Sequence, residues 1–166
     1  KIQLQELNSL KDENTRLRKI SKASSILSQK QTIAKVINNT ASPNKRVVAI
    51  DKGEKHGIYI GQNVIGVNGL VGQIIDKAFL SSKVILITDP SHTIPSVVNR
   101  TGENILVSGH ETAGILIVQY AEMSVDIVEG DIISTSGIAG RFKSKIPIGI
   151  VTKKMSNRDK KFSEIE

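Results

Sequence analysis

The sequence predicts a mainly β protein, with an N-terminal α-helix of coiled-coil type followed by two small β-barrel-like subdomains. Three observations carry this. The 166 residues hold 25 Ile and 14 Val against 10 Leu, and β-branched side chains suit a pleated surface but lose χ1 freedom in a helix. All 13 glycines fall at or after Gly53, and all four prolines at or after Pro43. The first 32 residues hold five of the ten leucines and no valine, glycine or proline, so the composition changes near Gln31 from helix-forming to strand-and-turn sequence.

The leading element is a helix over residues 1–31. Leu7, Leu10, Asn14 and Leu17 recur at spacings of three and four, a heptad seam with Leu7 and Asn14 at a and Leu10 and Leu17 at d. An amide at an a position costs stability unless it meets a partner amide, so Asn14 sets register and favours a two-stranded parallel pair. Ser21 and Ser24 at the next a and d sites end the pattern. These four residues are the expected self-association surface; the alternative is an amphipathic helix packed on its own body.

The remainder reads as short apolar runs separated by turns. Strands are expected at Thr32–Ile37, Arg46–Asp51, Asn63–Val67, Gly69–Ile75, Val84–Thr88, Ser96–Asn99, Asn104–Ser108, Ala113–Gln119, Asp131–Ser134 and Ile148–Thr152. No helical period of ten residues interrupts them, which argues against a βαβ sheet and for a sandwich or small barrels. Asn68-Gly69 marks a tight hairpin, since both residues tolerate positive φ. The first subdomain is expected over 32–80, open to completion by a returning strand near 148–152. The second is expected over 81–152, and 153–166 as a basic, flexible tail. Gly57–Val64 and Val125–Ile133 echo each other as a glycine turn feeding a β-branched run, a hint of two similar barrels.

Charge and motif content narrow the function classes. The net charge of +7 divides as +4 over residues 1–32, −2 over 33–140 and +5 over 141–166. Basic ends suit solvated faces, an anionic membrane surface beside an upstream anchor, or a nucleic-acid footprint. The body lacks the aromatic platforms that single-strand binding uses, and a salt-dependent shift with DNA or RNA is the discriminator for that alternative. Cysteine is absent, which removes disulfides, zinc knuckles and thiol nucleophiles. No apolar run approaches the ~20 residues of a membrane span. The chain begins with lysine rather than methionine, so an upstream anchor or signal is expected.

No catalytic, cofactor-binding or metal-ligating set emerges. His56, His92 and His110 show no metal-ligand spacing. Ser134 and Ser136, with His92 and Asp89, leave a serine hydrolase open on composition alone. There is no Gly-x-Ser-x-Gly elbow, however, and Thr135-Ser136-Gly137 reads as turn chemistry. Gly66, Gly69 and Gly72 precede no helix and form no dinucleotide fingerprint.

Three ordered blocks resemble the rod-shape-determining protein MreC family. The first is Asp51-Lys52-Gly53, Gly57-Ile58, Gly61, Val64 and Gly69-Leu70-Val71-Gly72. The second is Val84-x-Leu86-Ile87-Thr88-Asp89-Pro90 with Ile94-Pro95. The third is Gly130-Asp131, Thr135-Ser136-Gly137, Gly140, Phe142 and Ile146-Pro147-Ile148-Gly149. The family often carries a Pro-Pro-Gly turn where this chain has Lys143-Ser144-Lys145.

The resemblance implies a periplasmic region anchored in the inner membrane by an upstream helix. It further implies a non-enzymatic scaffold for peptidoglycan synthesis during cell elongation. Implied partners are the elongation-specific class B penicillin-binding protein, MreD, the MreB system and further copies of the chain; no cofactor and no nucleic acid are implied. The family's second barrel is similar in shape to a trypsin-like half, which keeps the hydrolase as the rival reading. A scaffold recruits through surface, and the continuously apolar run 115–120 is the candidate, with Ile115, Ile117 and Tyr120 facing the partner. The alternative is a strand covered on both faces inside the barrel wall.

Overall fold

The computed structural model describes residues 2–27, 31–40, 42, 44–112, 114–119, 126–157 and 160–165, and describes side chains at 3–16, 31–40, 42, 44–112, 114–119 and 126–152. The chain divides into two units, 1–33 and 34–166.

The first unit carries one helix, α1, Ile2–Leu27, as its run of leucine, lysine, glutamine and glutamate without glycine or proline dictates. Residues 3–16 are exposed along its whole described circumference, Leu7 by 51% and Leu10 by 63%.

The second unit is entirely antiparallel. Strands β1 (Val36–Asn39), β2 (Val47–Ile50), β3 (Asn63–Gly66), β4 (Gly69–Lys77) and β5 (Ser82–Leu86) form a five-stranded sheet in the order β1-β2-β5-β4-β3. Strands β6 (Thr93–Val98), β7 (Asn104–Gly109), β8 (Leu116–Gln119), β9 (Ile132–Thr135), β10 (Pro147–Asn157) and β11 (Lys160–Ile165) close a barrel in the order β10-β11-β8-β7-β6-β9. Period-two alternation fills both cores. In the sheet, the cross-strand row Val48, Val84 and Ile74 packs with Ile50 and Ile58. In the barrel, the row Ile94, Val107 and Val118 is fully buried beside Ile133, Ile148 and Val151. Each such side chain contributes roughly 1.5–3 kcal/mol on leaving water.

Four expectations need correction. Residues 160–165 are not a flexible tail: they form β11, which pairs with β10 and β8. Without it both neighbours would present unpaired backbone groups along an open edge. The expected boundary at residue 80 cuts a hairpin, because β5 pairs with β2 and β4 and so belongs to the sheet. The returning strand does not complete the first subdomain, since β10 bonds to β9 and β11. β6 also starts at Thr93 rather than Ser96 and contains Pro95, whose carbonyl accepts the Ser136 N–H at 3.1 Å. The repeated turn is a local likeness only: Gly61 and Gly130 share a φ of 90°, yet they feed strands of differently ordered sheets.

Candidate interaction surface and the seam that positions it

The sheet and the barrel meet where the sequence blocks fall. Asp89, in the link from β5 to β6, is completely buried. Its Oδ2 accepts the Arg46 backbone N–H at 2.7 Å, and its Oδ1 accepts the Ser91 N–H at 2.8 Å and the Ser91 hydroxyl at 2.5 Å. Burial pushes the Asp89 carboxyl pKa up, but the Ser91 and Arg46 hydrogen bonds outweigh it and hold the group below the usual carboxylate range. Arg46 carries the connection onward: its guanidinium donates to the Thr88 carbonyl at 2.5 Å and the Glu111 carbonyl at 2.7 Å. Pro90 follows Asp89 and is half-buried in the turn.

A second set of contacts joins β3 and β4 to the segment after β9. Gln73 donates through Nε2 to the Arg141 carbonyl at 2.8 Å, and the Lys143 N–H donates to Asn63 Oδ1 at 2.9 Å. Leu70, within β4 and paired with Ile65 of β3, packs its side chain into the barrel core. Backbones approach closely here: a Cβ on Gly69 would lie 2.2 Å from the Pro147 carbonyl oxygen, and one on Gly72 2.2 Å from that of Ile85. Only glycine fits such positions.

The other sequence-selected residues serve local turns. Asp51 accepts the Lys35 N–H at 2.7 Å, which lowers its pKa and holds the entry to β1. Gly53 sits against the Ala78 carbonyl, and Gly57 closes the short 3-10 turn Glu54–His56. Asp131, beside Gly130, takes a bidentate contact from Arg100 at 2.8 and 3.1 Å; this hydrogen bonding is the main cause of its lowered pKa. Ser136 accepts the Ile138 N–H at 3.3 Å, and Gly137 lies against Ser144. Gly149 stands opposite Ile133 beside a register shift in β10. The buried hydroxyl of Thr135 donates to the Lys143 carbonyl and accepts the Ile146 N–H. Arg46 and Gln73 tie the segments together without having stood out in sequence, because a polar residue in or beside a strand gives no periodic signal of what it will meet.

The hydrolase set is not assembled. Ser134 is buried, and the histidine rings bond to backbone: His56 to the Gly53 N–H, His110 to the Thr112 N–H and His92 to the Leu86 carbonyl. Among the described residues, no group of three acidic or histidine side chains could hold a metal ion.

Of the expected partner-facing strand, Leu116 and Val118 turn into the barrel core while Ile115 and Ile117 are half-buried. Tyr120 lies outside the described residues, as does the Leu17 side chain. β8 is no open edge, since β7 and β11 pair with it on either side, so contact there must use side chains. Further apolar surface lies in the sheet subdomain, where Tyr59, Ile60, Phe79 and Leu80 are each more than half exposed.

Residues 36–166 match the family described as rod shape-determining protein MreC, barrel core. The chain belongs to the MreC family. It is 34% identical over 146 residues to the cell shape-determining protein MreC of Escherichia coli (strain K12), covering 88% of this chain and 40% of that protein. The crystal structure of MreC from Pseudomonas aeruginosa superposes with a TM-score of 0.76 at 31% identity, over 82% of this chain and 88% of that one. A complex between penicillin-binding protein PBP2 and MreC from Helicobacter pylori is similar in fold, with a TM-score of 0.64 at 14% identity, over 80% of this chain and 83% of that one. The chain spans about two fifths of the length of the curated MreC relative. Among the described residues no helix is long and apolar enough to cross a membrane.

Proposed function

We propose that this chain is a non-catalytic periplasmic scaffold of the cell-elongation machinery, held at the inner membrane by a segment upstream of Lys1. Its work is recruitment: it binds the elongation-specific class B penicillin-binding protein, self-associates through α1, and connects to MreD and, through its upstream part or indirectly, to the MreB system. The observation that carries this reading is the match of the whole sheet-and-barrel unit to the MreC barrel core. The relative solved with PBP2 supports the choice of partner. The backbone-bonded histidines favour surface over chemistry.

Ile115, Ile117 and Tyr120 are the proposed partner-facing residues. Ile115 and Ile117 are half-buried rather than lost in the core, and an aromatic with a polar tip suits a half-wet contact. The test is capture of the penicillin-binding protein from membrane extract on immobilised wild-type chain and on Tyr120→Ala. Reduced capture with the melting temperature within a few degrees of wild type is expected. Equal capture by the folded variant removes this strand end from the interface. An active-site serine probe that labels wild type but not a Ser134→Ala, Ser136→Ala double variant would replace the scaffold with a hydrolase.

A further inference from the structure

One imidazole occupies the seam between sheet and barrel. His92 is 4% exposed. Its Nδ1 lies 3.3 Å from the Leu86 carbonyl oxygen, which can only accept, so Nδ1 carries the proton. The ring centroid is 5.7 Å from that of Phe142, and Nε2 is buried with no hydrogen-bond partner. In the neutral form that nitrogen is a bare acceptor. Adding a proton would make it a buried cationic donor with no acceptor in reach, the costlier arrangement.

Two charged groups act on the ring from the elements around it. Asp89, from the β5–β6 link, favours the proton, and Arg141, from the segment after β9, opposes it. Asp89 is already engaged by Arg46 and Ser91. Arg141 sits with its guanidinium carbon 6.0 Å from the Phe142 centroid, so a charged His92 would place a second cation against the same ring. Burial is the main reason the His92 pKa lies below the ordinary histidine value of 6.5. Phe142 itself sits between the two anchors of its segment, the Gln73–Arg141 and Asn63–Lys143 hydrogen bonds.

We propose that His92 is a proton-operated latch on the sheet–barrel seam: neutral, it lets Phe142 and residues 141–143 close against β3 and β4, and protonated, it releases them. The sign follows from linkage. With a folded pKa below 6.5, the open state binds the proton more readily, so closure is at full strength above pH 6.5 and weakens as pH falls toward the folded pKa. A single proton allows the open-to-closed ratio to rise by up to about tenfold per pH unit within that window. Asp89, held below the ordinary carboxylate value of 3.8, titrates in a separate range.

The test is an NMR titration of the full chain from pH 8 to 5, following the His92 imidazole and the exchange protection of the Lys143 amide corrected for intrinsic rate. His92→Asn serves as the comparison, because its amide N–H can replace Nδ1–H without titrating. The expected result is a His92 midpoint below 6.5, with Lys143 protection falling in step with it in wild type and flat in the variant. Either a His92 midpoint at or above 6.5, or an equal fall in Lys143 protection in His92→Asn, overturns the proposal. Should His92→Asn not fold, the wild-type curves decide alone: separate midpoints for the imidazole and the amide refute the latch.

Discussion

Asp89 shows how a single carboxylate organises the junction. It satisfies three donors, from Ser91 and from Arg46 43 residues away in sequence, in a place closed to bulk solvent. Asp89→Asn keeps the shape but loses the charge, and hydrogen bonds to a charged group contribute about 1.5–3 kcal/mol each. We therefore expect a lower thermal midpoint for Asp89→Asn at pH 7. Because the folded pKa is depressed, the wild-type advantage is present above pH 3.8 and disappears as pH falls through the folded value. Melting curves of the two proteins should converge in acid, and a constant gap across pH would contradict this assignment. The glycines offer a graded comparison. Gly72 faces the Ile85 carbonyl oxygen in the middle of the sheet, whereas Gly61 has open space and only its φ of 90° to protect. Valine at Gly61 should cost roughly 1–3 kcal/mol of strain, and valine at Gly72 should lower the melting temperature further. The reverse order would show that Gly72 yields by backbone movement.

At the scale of elements, legibility tracked local periodicity. The helix was readable from leucine spacing, and β4, β7 and β8 from β-branched runs, because each pattern is confined to a few neighbouring residues. β11 was not, since Lys160-Lys161-Phe162-Ser163-Glu164-Ile165 is charged enough to resemble a solvated tail; its identity as a strand depends on gaps offered by β8 and β10. The sequence places β5 in the second subdomain for a related reason. The Ser81-Ser82 break looks like a linker, but it turns a hairpin whose Ala78 N–H donates to the Ser81 carbonyl at 2.8 Å. The seam was half visible: Asp89 and Gly69 stood out as motif residues, while Arg46 and Gln73 did not. For α1, the exposed Leu7 and Leu10 favour pairing with a second copy. Sedimentation velocity of the chain beside a fragment starting at Gln31 should give a larger species for the longer protein, and equal oligomeric states would rule out self-association through α1.

At the scale of the whole molecule, an open five-stranded sheet and a closed barrel share a buried polar junction, and Leu70 of the sheet completes the barrel core. The unit presents outer apolar surface on both its sheet and its barrel, which suits the proposed scaffold. Isothermal titration of the chain with the purified periplasmic part of the elongation-specific class B penicillin-binding protein tests recognition without chemistry. A non-catalytic scaffold gives saturable binding, with the Ser134→Ala, Ser136→Ala double variant binding as wild type does. A folded chain that gives no saturable heat, or a double variant that stays folded but loses binding, would contradict it.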